Sequence, residues 1–192
     1  MNVLVACEFS GVVRDAFLRR GHNAWSCDLL PTESEGPHIQ GNVLDIIGLG
    51  WDLMIAHPPC TYLTVSGNRW FEPKHNPYWE TRMVSRARSV DFFMCLVEAS
   101  IPRICVENPV GRMNRWYKKP TQVIQPWQFG HGETKKTCLW LKNLSALVPT
   151  NIVEGRKPVC HLMGPSAQRS HLRSITYRGI AEAMAEQWGE LT

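Results

Sequence analysis

Two residues of this chain belong to types that perform covalent and proton chemistry, and their neighbours aim them away from a core. Cys60 follows Pro58 and Pro59 and precedes the polar Thr61. Two prolines stiffen the backbone that presents the thiol, and a thiol at the rim of a cleft can act as a nucleophile. Most free cysteines are simply small buried hydrophobes. That plainer reading suits Cys95 and Cys105, which lie inside apolar periodic runs, better than Cys60. Glu107 directly follows the apolar Ile104-Cys105-Val106. A carboxylate there is costly unless it has a partner or a task. Taken alone, Glu107 is explained by a salt bridge to a nearby arginine such as Arg112.

Two weaker features accompany them. Glu8-Phe9-Ser10-Gly11 ends an apolar run, and its glycine would let a ligand approach the backbone closely, although a tight turn explains it equally well. Asp28 follows at about the twenty-residue distance at which an acidic strand end binds ribose hydroxyls. Turn and acid together suggest a nucleoside-bearing cofactor. A metal site is not expected, because His22, Cys27, Cys160 and His161 lack paired ligand spacing.

Elements able to position these residues alternate as strand and helix, the trace of an α/β fold with a mostly parallel sheet. Strands are expected at Val3–Cys7, Asn23–Asp28, Trp51–Ala56 and Ile104–Val106, with further candidates at Gln122–Phe129 and Thr137–Leu141. The stretch Val12–Arg20 reads as a helix burying Val13, Ala16 and Phe17, closed by Gly21. A long helix is expected after Asn76 as N-cap and Pro77, with Met83, Ala87, Val90, Met94 and Val97 as its core stripe, ending at Pro102. A last helix buries Ile180, Ala181, Met184 and Trp188 behind Thr176 as cap. Pro31 to Pro37 has turn composition.

The 192 residues, 44% hydrophobic and 20% charged, suffice for one core, so a single domain over 1–192 is expected. The net charge of +4 is too small for a histone-like wrapper and identifies no partner by itself. It is unevenly placed: residues 1–100 carry net −3 and residues 101–192 net +7, which suits a phosphate but equally an ordinary solvated surface. Seven cysteines without a CxxC pair, no basic-then-apolar leader and no apolar run of ~20 residues lead to the expectation of a cytoplasmic protein with no membrane association.

The strand ends together resemble the cytosine-C5 DNA methyltransferases, in that family's order and through most of the chain. Glu8-Phe9-Ser10-Gly11 resembles the first cofactor motif, Asp28 with Leu29 the acidic ribose ligand, and Gly41-Asn42-Val43 the adenine-contacting Gly-Asp-Ile. Pro58-Pro59-Cys60-Thr61 is similar to Pro-Pro-Cys-Gln, and Glu107-Asn108-Pro109 to Glu-Asn-Val. Phe129-Gly130-His131-Gly132 with Lys135 and Thr137 weakly echoes the Gln-x-Arg-x-Arg segment, and Ser174-Ile175 the closing cofactor motif. Pairing of Pro-Pro-Cys with Glu-Asn is the specific part. Asn42 stands for an aspartate, Thr61 for glutamine and Pro109 for valine, and the arginine pair is reduced to Lys135 and the neutral Thr137.

The resemblance implies a class I methyltransferase-like Rossmann sandwich, with helices on both faces of the sheet and S-adenosylmethionine as cofactor. Phe9, Ser10, Gly11, Asp28, Leu29, Asn42, Val43, Pro58, Ser174 and Ile175 would bind it. It further implies that the Cys60 thiolate adds to carbon 6 of cytosine and that Glu107 engages N3 and the 4-amino group. Carbon 5 then takes the sulfonium methyl, and loss of its proton expels Cys60. Pro59, Asn108, Lys135, Arg169 and Arg173 would contact the substrate.

Duplex-specific members insert a target-recognition domain before the closing motif. Here only a short, basic, loop-like segment, residues 143–173, occupies that place. A free cytidine nucleotide, dCMP or CMP, is therefore slightly preferred as substrate, with DNA as the alternative and a catalytically silent nucleic-acid-binding module as the third reading.

Overall fold

The structure is a computed structural model that describes residues 1–190. Its strands are β1 (Asn2–Ala6), β2 (Asn23–Asp28), β3 (His38–Gln40), β4 (Leu53–Ala56), β5 (Arg103–Pro109), β6 (Gln122–Ile124) and β7 (Thr137–Lys142). Its helices are α1 (Val12–Arg19), α2 (Trp79–Val97), α3 (Met113–Trp116), α4 (Val159–Leu162), α5 (Arg169–Ser174) and α6 (Arg178–Gly189). All seven strands join in one sheet of order β3-β2-β1-β4-β5-β7-β6. β3, β2, β1, β4 and β5 run parallel, while β7 is antiparallel to both β5 and β6. This is an α/β architecture with a mostly parallel mixed sheet, compatible with a Rossmann-like fold.

The period of two along β1 explains the layers. Val3 and Val5 join Val13 and Phe17 of α1 and Ile180, Met184 and Trp188 of α6 in one buried cluster. Leu4 and Ala6 point the other way and meet Phe93 and Leu96 of α2 in a second. With both faces covered, β4 is fully buried, as expected of a central parallel strand. β2 has the bounds read from the sequence, and the expected stripes of α1 and α6 are buried.

Other expectations are corrected. α2 starts at Trp79, because the Asn76 side chain accepts from Tyr78 N and makes a local turn instead of capping the helix. Met83 and Ala87 are exposed, and the buried side of α2 is Arg86, Phe93 and Leu96. The cause is the 3₁₀ segment Val65–Phe71, against which the first half of α2 packs, so that an arginine faces inward there. Cys95 consequently lies exposed rather than in the core, whereas Cys105 is buried.

The strand from Gln122 ends at Ile124, since Pro126 has no N–H to donate and starts a 3₁₀ turn over Pro126–Gln128. Thr176 does not cap α6. Tyr177 stands at the N-cap position without a side-chain bond, and Gly179 N donates to His131 Nε2 at 3.0 Å. Residues 143–173 are not all loop, because they contain α4 and part of α5. No helix among the described residues is long and apolar enough to cross a membrane.

Candidate active site

Adjacent strand ends build the site. β4 and β5 are parallel neighbours with Ala56 opposite Val106, so His57, just past the end of β4, lies beside Glu107, which is still inside β5 and pairs with Leu139 of β7 instead of following the strand as expected. His57 Nδ1 donates to Glu107 Oε2 at 3.1 Å, and Arg112 is not the partner of Glu107. An ionised carboxylate only accepts, which assigns the proton of this bond to Nδ1. His57 Nε2 is buried and has no partner, and the side chain is only 8% exposed.

The chain then turns through buried Pro58 and exposed Pro59 to a half-buried Cys60. Asn108, 2% exposed, donates from Nδ2 to the Pro58 carbonyl at 2.9 Å. Asn108 thus fastens the Cys60 loop to β5. The Cys60 carbonyl accepts from Leu63 N and Thr64 N at 3.0 and 3.1 Å, which closes the loop on its far side.

Electrostatics in this cleft oppose one another. Burial pushes the Glu107 carboxyl up, but the hydrogen bond and charge of His57, aided by Lys135, outweigh it and hold the group below its usual value. Burial first, then the Glu107 charge, raise the Cys60 thiol, against the lowering pull of Lys135 and Arg173. Lys135 Nζ donates to the Arg173 carbonyl at 2.7 Å, which ties the segment before β7 to the end of α5. Lys135, Thr137 and Tyr177 line one cleft with His57 and Glu107. Arg169, half-buried, has a buried Nε without a partner.

A second cleft opens on the other side of His57. Cys7, Glu8, Phe9 and Ser10 after β1 line it together with Ser174, Ile175 and Thr176 before α6. The first and closing motifs, far apart in sequence, therefore meet. Phe9 stacks near His171 of α5, with ring centroids 5.2 Å apart, and His171 Nε2 lies 3.3 Å from Glu33 Oε1. Ser174 Oγ donates to the His171 carbonyl. Gly11 adopts φ 75°, and the space a side chain would need is filled by Arg14 and Ser34.

Asp28 accepts from Leu30 N through Oδ1 at 2.9 Å, and its carbonyl accepts from Gly41 N, which brings Asn42 beside it. Leu29 is 72% exposed next to this acid. Asn42 uses its side chain to accept from Leu44 N, and Val43 is buried in the core on the α2 face.

Three important side chains were given no role of their own by the sequence. Glu8, 4% exposed, accepts from Val13 N at 2.7 Å and Arg14 N at 3.2 Å, so its carboxylate sits at the N-terminus of α1. Burial nevertheless raises its carboxyl, outweighing those donors and the charge of His57. Arg14, fully buried, donates to Ser26, Thr32, Ser34 and the Glu35 carbonyl and pins the segment after β2. His57 was visible only as part of the Pro-Pro-Cys segment. An acid just before a helix start was the one available signal for Glu8. No family model and no curated protein matches the chain.

Proposed function

We propose that the protein transfers a methyl group from S-adenosylmethionine to carbon 5 of cytosine, through a Cys60 adduct on a free cytidine nucleotide. The observation that carries this reading is the convergence of Cys60, on the turn after β4, with Glu107, on the part of the adjacent parallel β5 that runs past β4, with Asn108 clamping Pro58. A mostly parallel sheet with helices on both faces is compatible with a class I methyltransferase fold.

The residues present suit the cofactor. The cleft between the Glu8–Ser10 segment and Ser174–Ile175 opens at the carboxyl ends of the strands, where α/β folds bind ligands. Asp28 keeps an oxygen that the structure engages in no hydrogen bond for ribose hydroxyls, and exposed Leu29 offers an apolar surface for a base. When bound, S-adenosylmethionine supplies an electrophilic sulfonium methyl.

The chain's own residues do the rest. Cys60, deprotonated with the help of the Lys135 and Arg173 charges, adds to carbon 6 and leaves carbon 5 electron-rich. Glu107 faces N3 and the 4-amino group and delivers to N3 a proton drawn from solvent, while the His57 Nδ1–H bond orients the carboxyl group. Water then takes the carbon-5 proton, the released electron pair forms the 5,6 double bond and expels the Cys60 thiolate, and N3 gives back its proton. DNA is the second reading, favoured by the exposed Lys118, Lys119, Lys136 and Lys157.

The deciding assay offers dCMP, CMP, single-stranded DNA and duplex DNA to the protein with labelled S-adenosylmethionine. Label in dCMP or CMP, abolished by Cys60→Ala, is the expected result. Label confined to DNA selects the second reading, and no Cys60-dependent label in any acceptor overturns both.

A further inference from the structure

We propose that Arg82, Arg86 and Arg112 form a phosphate-binding site behind the Cys60 loop, which takes the phosphate of the nucleotide whose base enters the Cys60–Glu107 cleft. The proposal deepens the catalytic reading and rests on it only for the identity of that nucleotide.

Placement comes first. Arg82 and Arg86 lie one turn apart on α2, and Arg112 follows β5 just before α3. Arg82 Nη2 donates to the Thr61 carbonyl at 3.3 Å and Arg86 Nε to the Tyr62 carbonyl at 3.0 Å. These acceptors are the two residues immediately after Cys60. Arg86 Nη2 donates to Asn68 Oδ1 at 3.2 Å. The Phe71 ring is shared by Arg86 and Arg82, whose guanidinium carbons lie 3.0 and 4.8 Å from its centroid. Trp116 is likewise shared by Arg112 and Arg86, at 5.3 and 5.8 Å.

What the cluster lacks is an anion. Among the described residues no carboxylate lies within 4.0 Å of any of the three guanidinium groups. Arg86 is 4% exposed, and the Nε atoms of Arg82 and Arg112 are buried without an acceptor. Aromatic faces attract cations but leave the charge in place. Burial, then the charges of Arg112 and Arg82, lower the Arg86 guanidinium to about 10. Three crowded, partly desolvated guanidinium groups are therefore complete only with an anion, and their planar forks match phosphate oxygens. Arg82 and Arg86, fastened to Thr61 and Tyr62, would also report phosphate occupancy to the nucleophile's loop.

The phosphate could be the monoester of a free nucleotide or the diester of a strand, and binding to the full chain separates these sources without turnover. The probes are dCMP, deoxycytidine, a short single-stranded oligodeoxynucleotide and inorganic phosphate. They are titrated calorimetrically against the native protein and Arg82→Met/Arg112→Met, which spares buried Arg86. Arg112→Met alone serves if circular dichroism shows the double variant unfolded.

Native protein is expected to bind dCMP more tightly than deoxycytidine, with about a tenfold loss of dCMP affinity per arginine removed and none for deoxycytidine. Arginine dependence confined to the oligonucleotide assigns the site to a strand's phosphate, and its salt slope should then fall in the variant. Inorganic phosphate alone should raise the melting temperature of the native protein more than that of the variant. If no phosphate-bearing probe distinguishes native from variant protein, the proposal is overturned. Arginine-dependent dCMP binding without methyl transfer would leave the phosphate site standing and remove the catalytic reading.

Discussion

His57 Nδ1 and Glu107 Oε2, 3.1 Å apart, join the turn after β4 to the adjacent β5 at the point where the two clefts meet. The bond links the cofactor side of the site to the base side through one imidazole. It also explains how a carboxylate at the end of a buried strand stays ionised, since His57 outweighs the burial that would otherwise protonate it.

Breaking this pair should be costly. His57→Ala leaves the Glu107 carboxylate without its partner, and a loss of about 3 kcal/mol is expected at pH 7. The folded-state value of Glu107 is depressed, so its contribution is fully present above the usual value of 4.5 and lost as pH falls through the depressed one. Urea unfolding of His57→Ala, Glu107→Gln and the double variant should give a coupling energy at pH 7 that shrinks on acidification. Additive effects at pH 7 would refute the pair's importance.

Glu8 should behave with the opposite sign. Its carboxyl is raised in the folded protein, so its ionisation opposes folding above the raised value, and this penalty is absent below the usual 4.5. Glu8→Gln keeps one acceptor oxygen for the 2.7 Å bond from Val13 N, gives up the longer 3.2 Å bond from Arg14 N, and removes the buried charge. Its unfolding midpoint is expected above that of the native protein at pH 7, with the gain shrinking toward pH 4.5. A lower midpoint at pH 7 would show that the charge itself holds the N-terminus of α1.

The legibility of these features in sequence follows the range of the interactions that make them. Local periodicity sufficed for β2, for the buried stripes of α1 and α6, and for the turn after β4 that carries Cys60, whereas β5 runs on past the expected Val106 through Glu107 to Pro109 because β7 pairs with it. The His57–Glu107 pair depends on β4 lying beside β5, which no local pattern encodes. The apolar stripe expected along α2 passes over Arg86, which is buried because the Val65–Phe71 segment covers it. β3 is a three-residue edge strand and α4 a single turn, too short for any period to appear.

Asn108 should act on geometry rather than on substrate. Asn108→Ala leaves the buried Pro58 carbonyl without its 2.9 Å donor, which is expected to cost about 1–3 kcal/mol in urea unfolding. On the catalytic reading, kcat should fall while KM for the nucleotide changes little, because the nucleophile is displaced and the binding groups remain. A large rise in KM at constant kcat would instead place Asn108 against the substrate.

Thiol reactivity tests the electrostatics around Cys60 directly. The thiolate is the reactive form, and burial together with the Glu107 charge keeps Cys60 protonated beyond its ordinary value of 9.0. Iodoacetamide followed by peptide mass mapping should therefore modify exposed Cys95 first at pH 7.5, with Cys60 labelled slowly. Glu107→Gln removes one of the two raising influences and leaves Lys135, a backbone hydrogen bond at Cys60 and Arg173 acting against burial. Cys60 labelling in that variant is expected to accelerate severalfold, while Cys95 labelling stays constant and reports an intact fold. Unchanged Cys60 labelling would mean that the Glu107 charge does not reach the thiol, and that the two groups act independently.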